Sequence, residues 1–264
     1  MRRSSQRLCA LVISASGLAC SARTLTAVDP CPVGTTSGDG VACGLVGLWH
    51  LDEGPGATVA VDSSGNHNDG TLFQLDPATA WVTGGKFGNA LAVEALGYVE
   101  VPLLDSIASI ASAVTVSAGV YLDGSISATD EYGTALSRQL GTALDQYYHL
   151  ALYKADAEPS LWITPLNGGT PVHPVAPAIT PRTWTHLAGT YDGKVAILYV
   201  GGIRVAMSPD TGTFPTDSTT LILGGNRNNQ TVTELFPGRI DELALYNRAL
   251  TDAEIQRLAN AESF

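Results

Sequence analysis

The chain is broken into short β-type runs, and this punctuation constrains its fold more than any other feature. Residues 44–49, 98–101, 115–122, 147–153, 160–164, 183–191, 195–200, 220–223 and 239–246 are rich in branched and aromatic side chains. Turn-forming pairs such as Asp192-Gly193 and Gly201-Gly202 separate neighbouring runs and suit tight hairpins. Many short strands at this spacing predict an all-β protein, a two-sheet antiparallel sandwich. Thr251-Asp252-Ala253-Glu254 reads as a capping box, with Ile255 and Leu258 forming one apolar stripe, so a short C-terminal helix is expected against a sheet edge. A minor helix is expected around residues 105–111. No fixed-period repeat and no second domain is evident.

The first residues do not belong to this pattern. Arg2, Arg3 and Arg7 precede a short apolar stretch that ends in Gly17-Leu18-Ala19-Cys20, so residues 1–22 read as an export signal. The stretch is too short to span a bilayer, and no other run reaches the ~18 apolar residues a spanning helix needs. Two endings stay open: lipidation of Cys20, as in bacterial lipoproteins, or ordinary cleavage near Ala19 or Ala22. Residues 23–43 read as a linker, in which Cys31 and Cys43 flank a Gly-, Ser- and Thr-rich loop. A Cys31–Cys43 disulfide is permitted in an oxidising compartment. The expected location is secreted or at the cell surface, with or without a lipid anchor, and residues 44–264 form the single domain.

Charge narrows the partners. The formal net charge is −11, and no Lys/Arg cluster follows the signal. Nucleic acid is a poor partner for such a surface, because phosphate contacts need concentrated positive charge.

Residues 61–70 pack short polar, acidic and glycine residues into one loop, and Asp241-Glu242 interrupts a distant apolar run. If the two stretches meet, they make an oxygen-lined site for a hard cation such as Ca2+, which takes about six to eight oxygens. Asp62 would give a carboxylate, Gly65 and His67 backbone carbonyls, Asn66 or Asn68 an amide oxygen, and Asp241 would close the cage. The plainer reading is that Asp62, Ser63 and Asn66 cap turns by binding nearby amides, with Asp241 paired to an arginine.

These segments together resemble the laminin-G-like, concanavalin A-like jelly-roll domains of secreted and cell-surface bacterial proteins. Residues 47–54 resemble the opening strand of that family, 62–72 its signature loop, 184–193 and 198–202 its central hairpin, and 238–246 its penultimate strand. Gly119 departs from the pattern at a frequent tryptophan, and Gly201 at a frequent aspartate. The resemblance implies a jelly-roll sandwich and a structural calcium between the signature loop and the penultimate strand. The family's fold is shared by glycan binders, protein binders and hydrolases, so it does not fix function.

For glycan recognition, Tyr147 and Tyr148 are candidates of which one should leave the core, since neighbours on a strand face opposite ways, and, with Gln146, His149 and Trp162, line a concave sheet face. Asn226 and Asn228 lie in a polar loop, residues 224–231, expected to be exposed. Trp49, Trp184 and Tyr199 sit in strand patterns and are assigned to the core. Adjacent residues on a strand face opposite ways, so Asp241 and Glu242 cannot act together as acid and base. No Glu-x-Asp-x-x-Glu strand, Gly-x-Ser-x-Gly elbow or His-Glu-x-x-His motif occurs. The expectation is a non-catalytic, lectin-like carbohydrate-binding module. An adhesion module for protein partners is the alternative, and a glycoside hydrolase a poorer one. Oligomeric state is not set by the sequence.

Overall fold

The computed structural model describes residues 41–93, 97–126, 130–139, 146–154, 156–164, 173–209, 211–214, 219–228 and 231–260. The signal, Cys20, Cys31 and all but the last residues of the linker lie outside the described residues. Cys43 is half of a disulfide.

In chain order the elements are β1 (Leu45–Trp49), β2 (Val59–Ala60), β3 (Gly70–Phe73), β4 (Trp81–Thr83), β5 (Asn89–Ala92), β6 (Tyr98–Val101), α1 (Asp105–Ala108), β7 (Val114–Leu122), β8 (Tyr132–Gln139), β9 (Gln146–Tyr153), β10 (Glu158–Ile163), β11 (Thr185–Tyr191), β12 (Val195–Val200), β13 (Ile203–Pro209), β14 (Leu221–Leu223), β15 (Asn226–Asn228), β16 (Thr231–Thr233), β17 (Gly238–Tyr246) and α2 (Asp252–Asn260). One sheet runs β13-β12-β11-β7-β17-β5-β4, with β1 also paired to β17. The other runs β10-β9-β8-β14-β6-β3-β2. The strand pairing is antiparallel, and the result is the expected jelly-roll sandwich with a short C-terminal helix.

β17 organises the first sheet. One of its edges carries β5 opposite Arg239 and Ile240, then β1 opposite residues 243–246. Along its other edge the register slips, with Asp241 opposite Gly119 but Ala244 opposite Ser117. That extra residue is a β-bulge, and Glu242 there takes a φ of 49°.

Alternation places one face of each strand inside. Val114, Val116, Ala118, Val120 and Leu122 of β7 share a core with Tyr148, Leu150 and Leu152 of β9 and with Leu161 and Ile163 of β10. Burying each of the valine, leucine and isoleucine side chains contributes about 1.5–3 kcal/mol, so this core dominates the stability. Gly189 lets the sheets close, since a Cβ there would stand 2.4 Å from Leu161. A second apolar cluster lies outside the first sheet, where Ile255 and Leu258 of α2 pack with Leu48, Ala188, Tyr199, Ala244 and Tyr246. The capping box forms as expected: Glu254 N–H donates to Thr251 Oγ1 (3.3 Å) and Thr251 N–H to Glu254 Oε2 (2.8 Å). β8 and β13 carried no clear strand signal; β8 is buried along both faces and so shows no alternation.

Candidate functional site

Asp62 is buried, and its carboxylate is filled by protein donors. Oδ1 accepts from Leu48 N–H (2.9 Å) and Ser64 N–H (2.9 Å), and Oδ2 from Asn68 N–H (2.8 Å) and Ser64 Oγ (2.8 Å). These match the ~four lone-pair positions a carboxylate offers. The Asn66 and Asn68 amide nitrogens, with Ser64 Oγ, converge on the Val46 carbonyl at 3.0, 2.7 and 3.0 Å. Gly65 and His67 take positive φ, 86° and 60°, which turns the loop back over β1. The network staples the loop to β1.

Asp241 belongs to a different network. Its Oδ2 accepts from Phe87 N–H (3.0 Å) and its Oδ1 from Glu242 N–H (2.9 Å). Burial, aided by the Glu242 charge, pushes its carboxyl up to about 7 against those amide bonds. Glu242 binds His50 Nδ1 at 3.0 Å, and this bond raises the imidazole above its ordinary value. Asp62 and Asp241 share no hydrogen-bond partner, and among the described residues no three His, Cys, Asp or Glu side chains group so as to hold a metal ion. The two carboxylates expected to close a calcium cage with Gly65, Asn66 and His67, those of Asp62 and Asp241, are therefore engaged by separate sets of protein donors. The bulge also alters the expected geometry at Asp241-Glu242, since strict alternation fails there; the two carboxylates nevertheless engage separate partners.

The outer face of the second sheet carries a cluster of rings. Trp162 lies opposite His149 in the β9–β10 register, and Tyr132 opposite Tyr153 in the β8–β9 register. A short segment then adds to the free edge of β10: Leu161 N–H donates to the Pro174 carbonyl (3.2 Å) and Ala176 N–H to that of Pro159 (2.9 Å). This brings His173 over the sheet, 4.9 Å from Trp162, 5.1 Å from Tyr153 and 5.8 Å from Tyr132, centroid to centroid. Trp162, Tyr153 and His173 are half-buried, whereas Tyr132 and His149 lie beneath. His149 is held by Thr134 Oγ1 (2.8 Å), and burial, with His173 nearby, pushes its imidazole down to about 3. Thr134 N–H donates to the Glu234 carbonyl (3.0 Å), and the Glu234 carboxylate accepts from the Asn226 amide (2.7 Å).

Two expectations are corrected here. Tyr148 faces the interior, 1% exposed and edge-on to Phe214, because it shares parity with Leu150 and Leu152. Asn226 is 1% exposed, not on a loop rim, because its stretch forms the β15–β16 hairpin, whose Val232 lies against Gly225. It supports Glu234 from below. The side chains of Tyr147 and Asn228 lie outside the described residues. Trp162 is brought to the surface cluster as expected. Tyr132, Tyr153 and His173 were missed; the parity of Leu150 and Leu152 would have turned Tyr153 outward.

The outer face of the first sheet is more closed. His186 is bonded to Ser117 Oγ (2.9 Å), and burial, with Lys86 nearby, pushes it down to about 3. Trp184, assigned to the core, is instead half-buried on this face, tilted against Tyr121 at 5.4 Å, with its N–H on the Gly84 carbonyl. Trp49 and Tyr199 are buried as expected. Beside α2 lies a groove of about 580 Å³ whose polar groups satisfy one another, Asp252 accepting from Tyr199 Oη and Arg204 at 2.7 Å each.

Comparison with known proteins matches this architecture. Residues 93–256 fit the family described as the concanavalin A-like lectin/glucanases superfamily, Laminin_G_3. Pappalysin-1 of Mus musculus is 38% identical over 80 residues, 28% of this chain, and the chain covers 5% of that protein's length. Domain 4 of AbnA, a GH43 extracellular arabinanase from Geobacillus stearothermophilus, solved in complex with arabinotriose, superposes with a TM-score of 0.59 at 22% identity, covering 81% of this chain and 98% of that one. A Trypanosoma rangeli sialidase mutant displaying trans-sialidase activity superposes with a TM-score of 0.59 at 19% identity, covering 82% of this chain and 32% of that one. At these identities the two structures share the fold alone. The profile match spans more than half of the sequence, and the chain belongs to the concanavalin A-like lectin/glucanase superfamily.

Proposed function

We propose that this chain is a secreted or cell-surface carbohydrate-binding module of lectin type, without catalytic activity, and that its ligand rests on the ring surface of Trp162, Tyr153 and His173. The observation that carries the reading is that these three rings stay half-buried on the outside of a sheet, packed against one another over a buried Tyr132. Aromatic bodies with polar tips suit ligands that are apolar on one side and wet on the other. The arabinotriose complex of the structurally similar domain supports the reading. A glycosidase needs two carboxylates flanking the scissile bond. Here Asp241 and Glu242 are committed to backbone amides and to His50, which favours binding over turnover. Calcium is left out of this reading, because the two carboxylates expected to hold it accept hydrogen bonds from the protein.

The test is a glycan array on the mature protein, with Trp162→Ala and Tyr153→Ala in parallel. Each variant should lose at least about tenfold in affinity, equivalent to 1.4 kcal/mol, while staying folded with only the modest fall in melting temperature that the lost ring contacts bring. Full binding by both variants would overturn the assignment.

A second reading, adhesion to a protein, is favoured by β13. This edge strand exposes Ile203 (66%), Val205 (41%) and Met207 (56%), and an open apolar edge is a template for pairing with another chain. Val205→Lys with Met207→Lys should then abolish partner capture and spare glycan binding.

A further inference from the structure

We propose that Phe73 and Tyr98, with Thr71, Glu100 and Arg227, form a second sugar subsite on the sheet face that carries the ring surface. The inference rests on the lectin reading above and gives the module a second point of contact with one polysaccharide.

Phe73 and Tyr98 are direct partners across β3 and β6, and their rings stack at 5.5 Å with 9° between the planes. Both stand on the outer face, because Val99 and Val101, which alternate with Tyr98, are fully buried. The β2–β3 ladder ends at Thr71, so no paired strand residue flanks Phe73 on the side away from Tyr98. Phe73 is 41% exposed, and no other aromatic side chain among the described residues is as open. Two residues along, Thr71 stands exposed opposite Glu100 on the same face. Glu100 Oε1 accepts from Arg227 Nη2 and from Thr220 Oγ1, at 2.7 Å each. Glu100 Oε2 and Arg227 Nη1 bond to no described residue and are not buried. An open acceptor and an open donor near an open ring suit a sugar, whose hydroxyls both donate and accept and whose apolar face lies on the ring. A purely apolar partner would strip water from both polar groups and give nothing back.

The strand register ties this patch to the ring surface. One row across the sheet runs Thr71, Glu100, Ile222, Ser137, His149, Trp162. Phe73 and Trp162 thus share a face, five strand spacings or roughly 24 Å apart. The chain crosses the row at Gly225, whose carbonyl accepts from Ser137 Oγ at 2.9 Å, and leads into the β15–β16 hairpin, so the two surfaces lie on either side of it. When one polymer engages both, the second contact becomes intramolecular, and the joint affinity exceeds that of either point.

The experiment measures binding of arabinan, xylan, galactan, mannan and β-glucan to the mature protein and to Trp162→Ala, Phe73→Ala and Phe73→Tyr, with a melting curve for each. At least one polysaccharide should bind, at least about tenfold more weakly in Trp162→Ala and in Phe73→Ala. Phe73→Tyr keeps the ring and should bind nearly as the parent does. All variants should stay folded, since Phe73→Ala loses little beyond the stack with Tyr98. Binding lost in Trp162→Ala but unchanged in Phe73→Ala would overturn the second subsite and leave the lectin reading intact. A loss in Phe73→Tyr as large as in Phe73→Ala would also overturn it, because the ring would then not be the contact. Loss in Phe73→Ala alone would uphold this patch and overturn the assignment to Trp162. A dimer in sedimentation that Phe73→Ala abolishes, with no glycan bound, would give the patch to a second copy of the chain and overturn the subsite. No binding of any polysaccharide would overturn the lectin reading, and the second subsite with it.

Discussion

Lys86 lies across Gly119: a Cβ on the glycine would stand 3.0 Å from the lysine Cδ and 3.2 Å from the Asp241 carbonyl oxygen. The ammonium continues to the end of α2, where it donates to the Ala259 carbonyl at 3.1 Å. A cation there complements the helix dipole. The position where related domains were expected to carry a large ring is thus filled by a side chain arriving from the β4–β5 hairpin. Gly119→Ala should destabilise the domain by about 1–3 kcal/mol through overpacking. Lys86→Ala should recover part of that loss when added to it, since residues in contact are not additive. Thermal melting of both single variants and the double variant checks this; strictly additive shifts would show that Lys86 is not the obstacle.

Asp62 makes a second case. Removing its carboxylate strands the buried N–H groups of Leu48 and Asn68, and each stranded donor costs about 1–3 kcal/mol. Asp62→Ala should lower the melting temperature by several degrees, at roughly 2–4 °C per kcal/mol for a domain of this size. The fall should be the same in EDTA and in Ca2+, because the lost bonds are to protein. A fall seen only with Ca2+ present would assign the carboxylate to an ion.

The sandwich was legible because its signals are local. Hairpin turns at Asp192-Gly193 and Gly201-Gly202 and the box at Thr251 and Glu254 act within a few residues, and each appears where expected. The ring surface was only partly legible, because it depends on parity and on contacts distant in sequence. Trp162 was placed correctly, but Tyr148 was misassigned; a pair of tyrosines does not say which one leaves the core, whereas Leu150 and Leu152 beside it do. His173 reaches the rings only through the segment that pairs with β10, which carries no strand pattern. The bulge at Asp241 is likewise invisible in a run that reads as a regular strand.

The end of the chain should depend on one ionic knot. Arg248 donates to both oxygens of Glu254, at 2.7 and 3.0 Å, while Thr251 closes the box from its N–H and hydroxyl. Thr251→Ala removes a cap worth about 1 kcal/mol. Glu254→Ala should cost more, since it also removes the two bonds that Arg248 donates to the carboxylate. Because Ile255 and Leu258 pack on the outer face of the first sheet, amide exchange in α2 should accelerate in both variants, with that in β9 unchanged. Equal acceleration in β9 would mean that the helix is not a separable unit.

Stability should peak near pH 6.5, because buried groups oppose one another across it. His149 and His186 are pushed down to about 3, chiefly by burial, from an ordinary 6.5. The unfolded chain therefore binds their protons first, and stability is lost as pH falls below 6.5, by up to about 1.4 kcal/mol per pH unit for each. Burial alone would push Glu254 up, but Arg248 and Thr251 hold it at about 2, so its contribution is lost as pH falls from 4.5. Asp241 runs the other way. Burial raises it from 3.8 to about 7, so the folded state holds its proton more tightly, and stability is lost as pH rises to 7. His50, raised by Glu242, adds to that loss as pH passes its ordinary 6.5. Between pH 4.5 and 6.5 the two strongly lowered histidines outweigh the one strongly raised aspartate, while the smaller shifts of His173, lowered by burial, and of Glu53 and Glu234, raised by burial, oppose one another, and above 6.5 the acid–imidazole pair remains. His186→Gln should flatten the acid limb, and Asp241→Asn should steepen it while flattening the limb above pH 6.5. Melting curves from pH 4.5 to 8 decide the matter, and an acid limb unchanged in His186→Gln would remove the buried imidazole from the account.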